Sequence, residues 1–431
     1  MNSTSQNHLW ALADCMTAII DYRGKTPRKT TTGVPLITAK IVKGGRIESP
    51  NEFVDPDEYE DWMRRGMPQV GDVVLTTEAP LGEVAQLQEA RVALAQRLIL
   101  LRGKPSVLDN TYLKFLMMSA DVQSQLQGRA SGTTVLGIKQ SELRKVVFSL
   151  PPIKEQQAIA GILGALDDKI EQNRQTVQAL ERLARATFRA WFVDFEPVKA
   201  KAVGATAFPS MPQPVFDALP THFVDSDIGA VPEGWGAKPL SNICTLVGGG
   251  TPKRSEATYW DGDVPWYSVK DAPSDGELWV TTTSERITAD GLADSAARVV
   301  AKGCTIISAR GTVGKLAMAG VPMAFNQSCY GLLPGDGKSF GYLHLLMQSV
   351  VAELQQRTHG SVFDTITRVT FDGLLVTNPR GEVVTAFESV VDPLLELLLA
   401  TADESSKLAA MRDYLLPKLL SGDLQVEAAY G

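Results

Sequence analysis

The sequence predicts an α+β chain in which two pseudo-symmetric globular regions are separated by two long helices packed as an antiparallel coiled coil. Three observations lead there: an internal repeat, short β-type runs inside each copy, and a heptad stripe after each copy. The repeat comes first, because self-similarity at a long period fixes the architecture. Gly71-Asp72-Val73-Val74-Leu75-Thr76 returns as Gly303-Cys304-Thr305-Ile306-Ile307-Ser308, an offset of 232. Val34-Pro35-Leu36-Ile37-Thr38-Ala39-Lys40 returns as Val264-Pro265-Trp266-Tyr267-Ser268-Val269-Lys270 at 230, and Leu150-Pro151 as Asn378-Pro379 at 228. The two copies cover residues 12–192 and 240–420.

The globular regions span 9–152 and 236–380. Their β-type runs are Val73-Val74-Leu75, Leu98-Ile99-Leu100-Leu101 and Val146-Val147-Phe148 in the first copy. Thr305-Ile306-Ile307, Tyr330-Gly331-Leu332-Leu333 and Leu374-Leu375-Val376 answer them in the second. Gly, Pro and Asp punctuate these runs. Helical stretches intervene at about 111–127 and 340–357, an α+β order.

A helix over 153–192 follows Pro151-Pro152, since proline is tolerated at a helix start. Leu163, Leu166, Ile170, Asn173, Val177, Leu180, Ala184, Thr187 and Trp191 recur at steps of three and four, the seam of a coiled coil. A buried Asn at such a position fixes register at some cost in stability. Residues 381–431 hold a second helix and a tail. Its seam is Val391, Leu394, Leu398, Thr401, Ser405, Leu408, Met411 and Leu415. Asp392-Pro393 either kinks this helix or caps and restarts it. Packing the two stripes on each other buries both, and globular regions at opposite ends would require them to run antiparallel. About 40 residues make a rod of roughly 60 Å. Residues 193–235, with Pro197, Pro209, Pro212, Pro214, Pro220 and Pro232, read as an extended connector.

Composition narrows the function. Hydrophobic content of 44% with 21% charged residues suits a folded soluble protein, and the polar start Met1–His8 carries no signal peptide. The densest apolar run, Leu394–Ala400, is too short to span a bilayer. Four scattered cysteines and four scattered histidines argue against a disulfide framework or a zinc site, and for a reducing cytoplasm. The net charge of −7 is concentrated at the C-terminus: residues 381–431 hold 3 Lys+Arg against 9 Asp+Glu, whereas residues 9–152 hold 18 against 16. Any nucleic-acid contact would therefore have to come from local patches rather than from overall charge.

The chain resembles the specificity (S) subunits of type I restriction-modification systems. The residues that carry the resemblance are Leu150-Pro151-Pro152-Ile153-Lys154-Glu155-Gln156-Gln157-Ala158-Ile159 with Leu163-Gly164-Ala165-Leu166-Asp167-Asp168-Lys169-Ile170. Ala190-Trp191-Phe192-Val193-Asp194-Phe195-Glu196-Pro197-Val198, Val231-Pro232-Glu233-Gly234-Trp235 and Tyr414-Leu415-Leu416-Pro417-Lys418-Leu419-Leu420-Ser421-Gly422 add to it, in family order over nearly the whole chain. The resemblance implies a non-catalytic subunit. Its two target-recognition domains each read half of a split, asymmetric site in double-stranded DNA, with the helices as spacer. The implied partners are two methyltransferase subunits and the restriction subunits. These, rather than this chain, would bind S-adenosylmethionine, ATP and magnesium.

Candidate DNA contacts follow from the residue types. Arg23, Lys25, Arg28 and Lys29 surround Thr26-Pro27, and Gly248-Gly249-Gly250-Thr251-Pro252-Lys253-Arg254 occupies the equivalent place. Glycines let amides approach phosphate and cations neutralise it; the alternative is a solvated basic turn. Lys40 and Lys270 are equivalent cations. Arg310 stands opposite Glu78, and Lys315 opposite Glu83: arginine can hold guanine and a carboxylate can accept from cytosine, unless these are β-turns whose polar residues drifted freely. Gln96-Arg97 matches Asn326-Gln327, amides that can pair with adenine. Arg129 and His359 lie in the loop before the last strand of each copy. The acidic stretch Asp55–Asp61 reads as a solvated face. Trp10, Trp62, Trp260, Trp266 and Trp279 read as core or rim.

Two other functions compete. A self-contained amino-methyltransferase needs an Asn/Asp-Pro-Pro-aromatic loop, and Asn378-Pro379-Arg380-Gly381 lacks the second proline and the aromatic. A coiled-coil protein–protein scaffold without sequence-specific DNA binding would use the same rod.

Overall fold

In a computed structural model, residues 9–22, 27–133, 135–273, 277–335, 337–358 and 365–426 are described. The chain divides into two compact units. One comprises residues 1–170 and 407–431, the other residues 171–406. Each long helix thus contributes one stretch to each unit.

In the first unit the continuous apolar runs become strands buried on both faces. Val73–Thr77 lies beside Leu98–Gly103 and Leu81–Gln86, and Met16–Asp21 completes this sheet. Side chains alternate along a strand. Val73, Leu75, Ile99 and Leu101 accordingly enter one core with Tyr112, Phe115 and Leu163, while Val74, Leu98 and Leu100 enter a second with Leu36, Val54 and Met63. A second sheet orders Ala93–Leu94, Val34–Ile37, Phe53–Val54 and Lys29–Thr30, with Val34–Ile37 parallel to Ala93–Leu94. Leu9–Ala11 pairs with Val147–Ser149 and closes the unit.

The second unit repeats the plan. Cys244–Gly248, Cys329–Pro334, Thr305–Ser308 and Leu316–Ala319 are adjacent in one sheet, with Trp279–Val280 at its edge. Trp260–Tyr267 runs parallel to Ala324–Phe325, and Gly236–Pro239 pairs with Leu375–Asn378 as Leu9–Ala11 does with Val147–Ser149. The helical stretches differ. Phe340–Thr358 is one helix, whereas 111–127 is two, Asn110–Met118 and Ala120–Gly128. The break falls at Ser119, whose extended backbone ends the first helix and whose hydroxyl accepts from Val122 N at 3.4 Å to cap the second.

The long helices are Ile153–Phe192 and Gly381–Ser421, packed together and antiparallel. Contacts within each unit give the direction. Asp167 Oδ1 accepts from Arg412 Nη1 at 2.9 Å, Asn173 Nδ2 donates to Glu404 Oε2 at 2.7 Å, and Phe188, Trp191 and Phe192 surround Phe387 at 5.0–5.7 Å between ring centroids. Rising numbers on one helix meet falling numbers on the other. Leu163 and Val177 are buried, Leu166, Ile170 and Leu180 half-buried, and Asn173 is buried with the carboxylate of Glu404 as partner.

The C-terminal seam departs from the heptad reading. Val391, Leu395 and Leu398 are buried, while Leu394 and Leu408 are half-buried and Met411 is 52% exposed. The helix serves two neighbours, since Leu395 and Asp392 also lie against Gly341 of Phe340–Thr358. A Cβ at Gly341 would come within 2.7 Å of Leu395 Cδ1. That widens the apolar face beyond a two-helix stripe. Asp392-Pro393 does not restart the element, which is one helix from Gly381 to Ser421. Pro393 lies on the exposed face, where the carbonyl it leaves unpaired can meet water.

Residues 193–235 are not an extended connector. Phe195, in the left-handed region (φ 53°), turns the chain out of the long helix, and two short helices follow, Glu196–Ala202 and Gln213–Ala218, each with proline in its first turn. Val198, Met211, Phe216, Leu219 and Trp235 join the second unit's core, so the prolines start helices instead of keeping the chain apart. Among the described residues no helix is long and apolar enough to cross a membrane.

Two buried polar arrangements test this packing. Asp167 takes ion pairs from Lys114 and from Arg412, all with side chains at most 15% exposed. Asp167→Ala should destabilise the first unit by about 3 kcal/mol in urea unfolding, because it removes the buried carboxylate partner of Lys114 and leaves Arg412 only the exposed Asp413. His344 is buried with Nδ1 3.1 Å from Thr305 Oγ1. Burial first, and Arg185 second, lower its pKa from 6.5 to about 3. The folded protein keeps this ring neutral while the unfolded chain takes up a proton below about 6.5, so stability falls as pH drops through that window, by up to about 1.4 kcal/mol per pH unit. His344→Asn should flatten this part of the dependence in thermal melts between pH 7.5 and 5.

Candidate nucleic-acid interface

In each unit three of the candidate residues follow the parallel strand pair, Lys40, Gln96 and Arg97 in the first and Lys270, Asn326 and Gln327 in the second. Strands that run parallel release their following loops at the same end of the sheet. Lys40 therefore leaves Val34–Ile37 on the same side as Gln96 and Arg97 leave Ala93–Leu94, with Ala95 N donating to Ile37 O at 2.9 Å. In the second unit Lys270 and Asn326-Gln327 follow the same rule, with Asn326 N donating to Tyr267 O at 3.0 Å.

Beside them lies the turn after Val73–Thr77, and after Thr305–Ser308 in the second unit. The same polar hook holds it in both. Thr76 Oγ1 accepts from Glu83 N at 2.9 Å, and Ser308 Oγ accepts from Lys315 N at 2.8 Å. A glutamine from the following helix ties down the turn's backbone. Gln123 Nε2 donates to Gly82 O at 2.8 Å, and Gln355 Nε2 to Val313 O at 2.9 Å. Gly82 (φ 94°) and Gly314 (φ 85°) are left-handed, and a Cβ at either would collide with its glutamine at 2.4 or 2.6 Å. Sequence reasoning missed Gln123 and Gln355, although their separation of 232 is that of the turn itself.

This frame presents different chemistry in the two units. Glu78 and Arg310 occupy one position. Glu78 accepts an ion pair from Arg97 Nε at 3.0 Å, and Arg310 is exposed with no ion pair to a described residue. At the next, Glu83 Oε2 accepts from Gly44 N at 2.8 Å, while the Lys315 ammonium is exposed. Gln327 pairs with the Thr251 hydroxyl, and Asn326 Oδ1 accepts from Ser328 N at 3.0 Å. Gln96 is half-buried and Arg97 exposed.

The basic turns resolve unequally. Arg23 and Lys25 lie outside the described residues, as does His359. Arg28 and Lys29 are exposed, and Lys29 Nζ sits 2.8 Å from Glu52 Oε1. The glycine run does not offer its amides to phosphate as read from sequence. Gly250 N donates to Phe325 O at 2.9 Å and Gly249 N to Cys329 O at 3.4 Å, and a Cβ at Gly249 would fall 2.2 Å from Asn326 O. Gly249 lets this loop lie against the 325–326 backbone, and Gly250 lets it lie against the backbone of Ala296-Ala297. Beyond them Arg254 is stacked on Trp260 at 3.9 Å and faces Trp266 at 5.0 Å, with Glu285 bound in fork geometry. The guanidinium holds the Glu285 carboxyl below its ordinary pKa. Trp266 is buried and Trp260 half-buried, as core and rim. Lys253 is exposed, and Arg129 Nη1 is 3.9 Å from Glu142 Oε2. Exposed pairs of this kind are worth about 0–1 kcal/mol, so a phosphate can displace them.

All four cysteines are buried, which pushes Cys15 up to about 11 and Cys244, Cys304 and Cys329 to about 12. Among the described residues no cluster of His, Cys, Asp or Glu could hold a metal. Asp55–Asp61 is a solvated face that buries only Tyr59.

Comparison with known proteins agrees with the geometry. Residues 64–182 and 232–379 match the Type I restriction modification DNA specificity domain. The chain is 28% identical over 317 residues to the Type I restriction enzyme HindI specificity subunit of Haemophilus influenzae, covering 64% of this chain and 69% of that one. It is 25% identical over 362 residues to the Type I restriction enzyme MjaIX specificity subunit of Methanocaldococcus jannaschii, covering 83% and 78%. Its fold is that of a type I restriction-modification S subunit from M. genitalium, with a TM-score of 0.60 and 14% identity over 97% of this chain and 98% of the other. The chain belongs to the type I restriction-modification DNA specificity family: it is a non-catalytic specificity subunit with two target-recognition domains.

Proposed function

We propose that residues 9–152 and 236–380 each read one half of a split, asymmetric site in double-stranded DNA. Residues 153–192 and 381–431 set the gap, and 193–235 joins the second reader to the first helix. One observation carries this reading: a single turn frame, built twice, bears unlike side chains at equivalent positions, Glu78 against Arg310 and Glu83 against Lys315. A chain made of two identical readers would bind a palindrome, and one made of two unlike readers binds a site without two-fold symmetry. Arg28, Lys29, Lys40, Gln96, Arg97 and Arg129 are the proposed contacts of one half-site. Lys253, Arg254, Lys270, Arg310, Lys315, Asn326 and Gln327 are those of the other. Arg23, Lys25 and His359 remain proposed on sequence alone.

In this reading the helices also hold two methyltransferase subunits, and the assembly recruits restriction subunits. Those partners supply S-adenosylmethionine, ATP and magnesium, in the cytoplasm. The test is binding of the chain with its methyltransferase partner to duplex DNA at rising salt. A DNA reader releases counterions, so affinity should fall linearly on a log–log plot, by about 0.9 per phosphate neutralised. A scaffold that does not bind DNA shows no such slope, and that result would overturn the reading.

The spacer role makes a separate prediction. Four residues inserted after Gln172, with four opposite them after Glu404, lengthen the paired helices by about 6 Å. Mapping of methylated adenines should then show both half-site sequences unchanged and the gap longer by roughly one to two base pairs. A gap that stays the same excludes the helices as the spacer.

A further inference from the structure

One exposed ion pair in the first unit has a form that neither a stability role nor phosphate binding requires. Glu78 follows the strand Val73–Thr77 and Arg97 precedes Leu98–Gly103, its neighbour in the sheet. Thr77 N donates to Arg97 O at 2.9 Å, which brings the two side chains together at the strand ends. Glu78 also makes an antiparallel bridge to Gly137. A Cβ at Gly137 would stand 3.2 Å from Glu78 Cβ and 3.3 Å from Glu78 Oε2, so the glycine leaves the space this carboxylate occupies. Strand ends, bridge and glycine together define where the pair points, yet its side chains stay 44% and 48% exposed.

We propose that Glu78 and Arg97 act as one reader of a single G·C base pair in the half-site bound by the first unit. The inference rests on the functional reading above. The Arg97 Nε–Glu78 Oε1 contact of 3.0 Å is an ion pair through the inner guanidinium nitrogen and one carboxylate oxygen. Left over are the two terminal nitrogens of the guanidinium and Oε2 of the carboxylate, two donors beside one acceptor. The major-groove edge of G·C is the complement: guanine N7 and O6 accept, and the cytosine N4 amino group donates. An A·T edge sets the adenine amino group against guanidinium donors, so it is rejected by about 10- to 100-fold. The mutual ion pair also holds each group in place before DNA arrives, so less side-chain freedom is lost on binding.

The second unit lacks this reader. Its equivalent positions are Arg310, with no carboxylate beside it among the described residues, and Gln327, which pairs with Thr251. The G·C requirement from this element therefore belongs to one half-site only.

The experiment is selection from a randomised duplex library by the full chain in complex with its methyltransferase subunits, for wild type, Glu78→Gln and Arg97→Gln. Both replacements keep the side chain's polarity at a half-exposed position, and the second half-site in the same selection reports whether the variant is folded. Both variants should relax the same single G·C position of one half-site by about tenfold or more and leave the other half-site and the gap unchanged. An unchanged motif in both variants would overturn the proposal. So would relaxation at two different positions, equal weakening of both half-sites, or loss of all binding by both variants, any of which makes the pair a structural or phosphate contact. If the wild-type complex selects no split motif, the functional reading falls and this inference with it; an intact split motif in both variants removes the inference alone.

Discussion

The antiparallel packing of Ile153–Phe192 against Gly381–Ser421 is the constraint on which the rest of the molecule depends. Neither helix is stable as an isolated amphipathic rod, because each exposes an apolar stripe that water penalises. The contacts along the seam also differ in kind. In the first unit Asp167 joins Lys114, Arg412 and both helices in one nearly dry cluster. In the second, Asn173 meets Glu404, and beyond it an aromatic cluster of Phe188, Trp191, Phe192, Phe387, Tyr342 and Trp235 anchors the pair. Ion pair, amide and aromatic contacts cannot substitute for one another, so a slip of one heptad would leave charge against hydrocarbon. Register is set by chemistry as well as by volume.

Each globular region uses its helical stretch as part of its core. Leu163 enters the first unit's core with Tyr112 and Phe115, and Leu398 enters the second unit's with Tyr342 and Leu346. Nothing in the sheets alone would bury those faces. Sheet, following helix and long helix therefore fold as one cooperative body in each unit, which explains why the compact division falls inside the long helices, after Ile170 and before Lys407, rather than at their ends.

Much of this was legible in the residues. The repeat predicted two copies of one topology, and the strand pairs Gly236–Pro239 with Leu375–Asn378 and Leu9–Ala11 with Val147–Ser149 show the match. Periodicity placed the long helix at Ile153–Phe192. It failed where a helix has more than one neighbour: Leu394 fits the heptad, but Leu395 faces Gly341 and is buried. Proline counting failed over 193–235, because proline at the first turn of a helix and proline in a linker look alike until the hydrophobic partners of Val198 and Phe216 are known. At the candidate interface residue type alone could not separate an exposed Arg310 from an Arg254 stacked on Trp260, or a glycine that meets phosphate from Gly249, which meets backbone.

The hook at Thr76 and Ser308, with the glutamine clamp behind it, has a consequence for how such a protein can change. Every bond that shapes the turn uses a hydroxyl, a backbone amide or carbonyl, or a glutamine outside the variable positions. The side chains at 78, 83, 310 and 315 contribute none of these bonds. Charge can be reversed there, as it has been between the two copies, without breaking the bonds that shape the turn; at 83 the cost is the bond from Gly44 N to the Glu83 carboxylate. New preferences can then arise by single exchanges on a frame that stays put, like type set in a fixed forme.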